Sequence, residues 1–287
     1  MPENSVLKSK YELLKRLGTK NLTDKAVGDT LLAMAKEGYT QLWTKCTPIA
    51  QTTNVPGKSY IAFSLGTEVS RPVNSLLYLE GDEALQLAEQ FIMSPATLNG
   101  PEATRAAYTI ALSVMAANDV FEVGRKASAT FFEILIGHMV ATAFGINPTK
   151  KVKMPENSKI SLPTDYVFDL GPETPKFHLP VKTSTRERIV QAWVHQLILE
   201  RIFGANVYRG ILVCIGETRR DKKKNAVVEI CTPNQLKLIQ TRIAEMHRVY
   251  YLDPPKAYLD LITARPTPIV VRPFGEFFAE VKSILAF

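Results

Sequence analysis

Cysteine is scarce in this 287-residue chain, and the three present, Cys46, Cys214 and Cys231, form no CxxC pair. An odd number without ligand spacing excludes a disulfide framework and a zinc cluster, and points to a reducing, cytoplasmic setting. Histidine is nearly as rare: His138, His178, His195 and His247 share no metal-ligand spacing. The chain has no GxGxxG, Walker loop, HExxH or GxSxG, so dinucleotide, P-loop, zincin and α/β-hydrolase chemistry lack their signatures. The opening MPENSVLKSK has no apolar signal core, and the longest nearly apolar stretch, Ile134 to Ile146, carries His138 and is too short to span a bilayer. The expectation is a soluble protein with no membrane partner. Repeats and low-complexity segments are missing too. With 46% hydrophobic and 22% charged residues, disorder and fibrous architectures are excluded.

What is present is a basic surplus, 35 Lys+Arg against 28 Asp+Glu. It favours an anionic partner but also fits many solvated surfaces. Apolar residues recur at helical spacing from Ser5 to Lys45, with Gly18 and Gly38 as turn signals. Residues 46–75, rich in Pro and Gly, read as a loop region with one strand at Ser59 to Leu65. Helices return at Gly81 to Ile92 and Pro101 to Asn118, so residues 1–118 form a mainly helical N-terminal part. A strong helix then spans Ala127 to Phe144. Candidate strands follow at Tyr166–Leu170, Phe177–Lys182, Tyr208–Ile215, Ala226–Ile230 and Val249–Leu252, with helices at Arg186–Phe203 and Asn234–His247. The fold class is α/β (α+β): a mixed central sheet flanked by helices over residues 119–287. The run Arg219 to Lys224, RRDKKK, sits where a hairpin loop is expected, and reads first as a solvated turn.

The informative stretch is Pro163 to Gln196, PTDYVFDLGPETPKFHLPVKTSTRERIVQAWVHQ. Asp165 opens one apolar strand, Gly171 and Pro172 break it, and a second strand ends in Lys182. If the two strands pair, a carboxylate and an ammonium converge at one end of a hairpin. The bland alternative is an acid at one strand start and a lysine at another strand end. Beyond Lys182 come Thr183-Ser184-Thr185 and then Arg186-Glu187-Arg188, opening a helix.

Here the sequence resembles the PD-(D/E)xK type II restriction endonucleases, and within them the subgroup that reads CC/GG steps. The likeness rests on the strand-initial Asp, the following strand ending in Lys, the basic-acidic-basic triplet beyond it, and Gln191 nine residues after the lysine. A second match is GRKASATFFE, Gly124 to Glu133, a Gly/Ser-rich helix entry with a glutamate. The resemblance covers Gly124 to Gln196 and implies a restriction-endonuclease-like core acting on double-stranded DNA with Mg²⁺. It implies a metal held by Asp165 and the carbonyl of Val181, Lys182 at the scissile phosphate, and Glu133 acting through water. Arg186 and Arg188 would donate to guanine O6 and N7 while Glu187 accepts from cytosine N4. A palindromic site then implies a homodimer, with a tetramer left open.

The sequence departs from the family in one respect that bears on the metal. Pro180 stands where an acid would precede the lysine by two residues, and the alternative place for that acid, on the next helix, holds His195 and Gln196. His195 could tune or complete the site through neutral imidazole, but neither residue brings the negative charge that Mg²⁺ favours. Asp169, on the face of Asp165 by period-two alternation, is a substitute ligand or a solvated carboxylate. Trp43, Tyr60 and Phe63 are either a platform for a flipped nucleotide or core aromatics. Two rival readings remain: a structure-selective repair or recombination nuclease that needs Asp165 and Lys182 but not the triplet, and a catalytically dead DNA-binding module.

Overall fold

The computed structural model describes residues 4–121, 126–157, 159–185, 189–221, 223–263 and 269–285. The chain begins with α1 (Asn4–Gly18) and α2 (Lys25–Lys45). Asp24 caps α2, its carboxylate accepting the Ala26 amide at 2.9 Å. Gly38 does not end a helix as expected; it lies inside α2. A Cβ there would meet the Ser113 carbonyl oxygen at 2.7 Å, so the missing side chain allows a close helix approach. Residues 46–75 hold more than the one expected strand: β1 (Thr47–Gln51), β2 (Tyr60–Leu65), β3 (Glu68–Val69) and β4 (Val73–Asn74) form a small antiparallel sheet.

Next come α3 (Gly81–Met93), α4 (Gly100–Phe121) and α5 (Ala127–Phe144). The start of α4 is a reciprocal cap: Glu102 accepts the Asn99 amide at 3.1 Å, and Asn99 accepts the Glu102 amide at 2.9 Å. α5 coincides with the helix expected over Ala127 to Phe144; its 18 residues, unlike the apolar run Ile134 to Ile146 taken alone, could cross a bilayer by length and composition. Its Phe131, Phe132, Leu135, Ile136, Met139 and Val140 are instead buried in the interior. Gly145, left-handed at φ 71°, ends it.

A seven-stranded mixed sheet follows among the described residues. Its strands are β5 (Thr149–Lys153), β6 (Ser161–Phe168), β7 (Lys176–Leu179), β8 (Val181–Lys182), β9 (Tyr208–Gly216), β12 (Met246–Asp253) and β13 (Val271–Pro273). The order is β13-β12-β9-β7-β6-β5, with β8 continuing alongside β9. β5, β6 and β7 run antiparallel, whereas β7 and β8 run parallel to β9, and β12 to β9 and β13. The single strand expected over Phe177–Lys182 is broken by Pro180, which has no amide hydrogen to give the ladder. Its carbonyl still accepts from the Val213 amide at 3.0 Å.

Among the described residues the remaining α-helices and strands are α6 (Ile189–Phe203), the hairpin β10 (Thr218–Asp221) and β11 (Ala226–Glu229), α7 (Pro233–Arg242), α8 (Lys256–Leu259) and α9 (Glu276–Leu285). α7 stops five residues short of the expected His247, because Met246 and His247 already belong to β12. Along β9 alternate side chains leave opposite faces. Ile211 and Val213 join a core shared with α1 to α5 and α9, while Leu212 and Cys214 join Trp193 of α6 and Leu236 and Ile239 of α7. The first cluster runs from Leu7 to Ile284, so the helical N-terminal part and the sheet bury one common core.

Candidate active site

The antiparallel register of β6 on β7, Tyr166 opposite Leu179, sets Asp165 level with Pro180 at the β7–β8 junction. Since Pro180 offers no amide, the next one serves: the Val181 amide donates to Asp165 Oδ2 at 2.8 Å. Lys182 Nζ reaches the same oxygen at 2.5 Å. The convergence expected from the sequence is therefore present. Both groups line a cleft of about 150 Å³ walled by Pro163, Thr164, His178 and Pro180 of the sheet side and by Gln191, Ala192 and His195 of α6.

Two imidazoles stand on this cleft, their ring centroids 6.2 Å apart. His195 is the one singled out from sequence; burial, then the Lys182 charge, hold its pKa below the ordinary value. His178 was not singled out. It is buried, which lowers its pKa to about 4 despite a hydrogen bond with Gln196. Gln196 is not turned to the cleft as a ligand, because its amide donates to Glu200 Oε1 and to the Tyr208 carbonyl, both at 2.8 Å.

Glu133 is not brought into the cleft. It pairs with Lys150 at 2.7 Å, whose ammonium also lies 4.7 Å from the centre of the Tyr166 ring. Tyr166 packs on the α5 side, where Gly137 makes room: a Cβ there would come within 2.6 Å of the ring. By alternation Asp165 turns to the opposite, α6 side. Asp169 pairs with Lys176 at 2.5 Å and lines a separate groove formed by residues 171–176 and 205–207. The lysine hydrogen bond holds its carboxyl below the usual range. Arg186, Glu187 and Arg188 lie outside the described residues, as do Gly124 and Arg125. Of the residues considered as a nucleotide platform, Trp43 and Phe63 pack edge to face at 5.3 Å, and Tyr60 is buried with its hydroxyl 3.4 Å from Asp253 Oδ2. They are core aromatics.

The donor set accommodates one hard cation. Among the described residues no group of three His, Cys, Asp or Glu is placed to enclose a metal. Magnesium, however, is commonly held by one or two carboxylates, with water and phosphate oxygens filling its octahedron. Asp165 meets that minimum; among the described residues lining the cleft, no further carboxylate is present for a second ion.

No family model matches this chain, and no curated protein does. Solved structures do. The Type IIP restriction endonuclease Kpn2I is 27% identical, with a TM-score of 0.83 over 97% of each chain. The restriction endonuclease PspGI, in its complex with substrate DNA, is 14% identical with a TM-score of 0.48, covering 70% of this chain and 92% of its own. Over nearly its whole length, then, the chain has a restriction-endonuclease-like fold.

Proposed function

We propose that the protein is a sequence-specific type II restriction endonuclease that hydrolyses phosphodiester bonds of double-stranded DNA with Mg²⁺. The observation that carries this reading is the meeting of Asp165 and Lys182 at one cleft of a restriction-endonuclease-like sheet. Asp165, with the carbonyl of Val181, would hold the metal. When bound, the metal supplies positive charge to the scissile phosphate and a readily ionised water. Lys182 orients the attacking water and offsets charge that develops on phosphorus oxygens. Water oxygen bonds to phosphorus as the bond to the 3′ oxygen breaks; the proton released and the proton taken up by the 3′ oxygen both exchange with solvent. His195 borders this space and tunes it. Glu133, paired with Lys150 across the sheet, acts at most through intervening water.

Arg186, Glu187 and Arg188 would read adjacent G·C pairs in the major groove, two copies in a homodimer matching a palindrome with CC and GG half-sites. The N-terminal part to residue 118 would supply dimer and backbone contacts. Single-turnover cleavage of a mixed-sequence plasmid, with the ends sequenced, tests both levels. Discrete ends at CC/GG sites are expected, abolished by EDTA and by Asp165→Ala or Lys182→Ala. Activity of either variant within about tenfold of the parent removes the site, and cutting indifferent to replacement of GG removes the triplet's role.

A further inference from the structure

The cleft contains a neutral acceptor whose orientation is dictated from behind. The Tyr208 carbonyl can only accept a hydrogen bond, and it lies 2.8 Å from Gln196 Nε2, as does Glu200 Oε1. The Gln196 amide nitrogen is thereby fixed toward those two, and its oxygen faces His178 Nδ1 at 3.3 Å. An amide oxygen only accepts, so Nδ1 carries the ring proton. Gln196 is wholly buried. Gly210 keeps its space, since a Cβ there would lie 3.0 Å from the Gln196 oxygen. In a neutral ring with Nδ1 protonated, Nε2 holds a lone pair, and with Nδ1 turned to Gln196 this is the nitrogen left for the cleft.

We infer that His178 is a catalytic residue: its unprotonated Nε2, set by Gln196, accepts a hydrogen bond from the water that attacks the phosphodiester. The inference rests on the nuclease reading above. His178 holds one water proton by hydrogen bonding and does not remove it; the proton lost on attack leaves to solvent as described. It thus orients the water in a site where neither Pro180 nor, at the alternative place on α6, His195 or Gln196 supplies the second carboxylate.

The test uses the full chain labelled with ¹⁵N histidine and long-range ¹H–¹⁵N correlation, with His178 assigned by its loss in His178→Gln. The expected spectrum shows Nδ1–H with a bare Nε2, a preference that Gln196→Leu removes. In single-turnover cleavage His178→Asn keeps a polar atom near the Nδ1 position but none at Nε2, and should cut at least ~100-fold more slowly. His178→Gln, which reaches the Nε2 position, should stay within about tenfold. An Nε2–H tautomer in the parent protein, or an Asn variant cutting within about tenfold of it, overturns the inference. If Asp165→Ala also cuts normally, the site itself was misassigned; if that variant is dead while His178→Asn is active, only the role of His178 falls. A parent chain that cuts no DNA sinks both.

Discussion

Lys182 Nζ and the Val181 amide both donate to one oxygen of Asp165, at 2.5 and 2.8 Å, although 17 and 16 residues separate them in the chain. The carboxylate therefore ties β6 to β8 as well as facing the cleft. Hydrogen bonds to a charged group contribute about 1.5–3 kcal/mol each to stability, and these lie at a partly open edge, the side chains being 13% and 24% exposed. Lys182→Ala should cost about 1–2 kcal/mol in urea denaturation while removing cleavage. A loss of cleavage explained wholly by unfolding at assay temperature would contradict the assignment.

Stability should fall as the solution is acidified from neutral pH. Burial holds His178 and His247 at about 4 and lowers His138 as well, against 6.5 for the unfolded chain. Between those values the unfolded state binds protons that the folded state refuses, so the stability present above about pH 6.5 is lost progressively toward pH 4. For fully buried His178 the loss by pH 5 is on the order of 2 kcal/mol. Denaturation curves at pH 7 and pH 5 measure it, and His178→Gln should flatten the difference.

Gly38→Ala sets two effects against each other. An alanine inside a helix is ordinarily worth about 1 kcal/mol over glycine. Here the new methyl would sit 2.7 Å from the Ser113 carbonyl oxygen and 3.0 Å from its carbon, both backbone atoms of α4. Overpacking of this kind costs about 1–3 kcal/mol, so a lower melting temperature is expected. A stabilised variant would show that α2 and α4 can part without penalty.

That glycine also shows where sequence patterning stops. Gly18 and Gly38 look alike in the chain, yet only the first ends a helix, because the second answers to Ser113, 75 positions away. β9 and α5 were legible from their own apolar runs. β1, β3, β4 and β5 were not: β5 buries only Val152, and the others depend on partners across Pro- and Gly-rich turns. Within the site, Asp165 and Lys182 could be paired from two neighbouring apolar runs and the Gly171-Pro172 break between them. Which sheet face receives Glu133 was hidden, because the Tyr166 ring against Gly137 decides it. His178 was hidden more deeply, since its tautomer follows from Gln196 on α6 and a carbonyl of β9.

The segment read as loop is held to the sheet by a buried cation. Lys58 Nζ lies 2.6 Å from Glu229 Oε1 and 2.7 Å from Asp253 Oδ1, all three side chains 13% exposed or less. Asn74 Nδ2 donates to the same Asp253 oxygen at 3.1 Å, and the Val227 amide donates to the Thr52 carbonyl at 2.7 Å. Lys58→Met keeps the stem and deletes the charge, leaving two carboxylates facing each other away from water. Breaking a buried pair in this way costs about 3–5 kcal/mol, and removing one acid as well should recover part of it. The double variant Lys58→Met with Glu229→Gln is therefore expected to be more stable than Lys58→Met alone, as read by urea denaturation. Equal stability of the two would mean that Glu229 already reaches solvent, and that the meander of β1 to β4 is anchored by its backbone contacts instead.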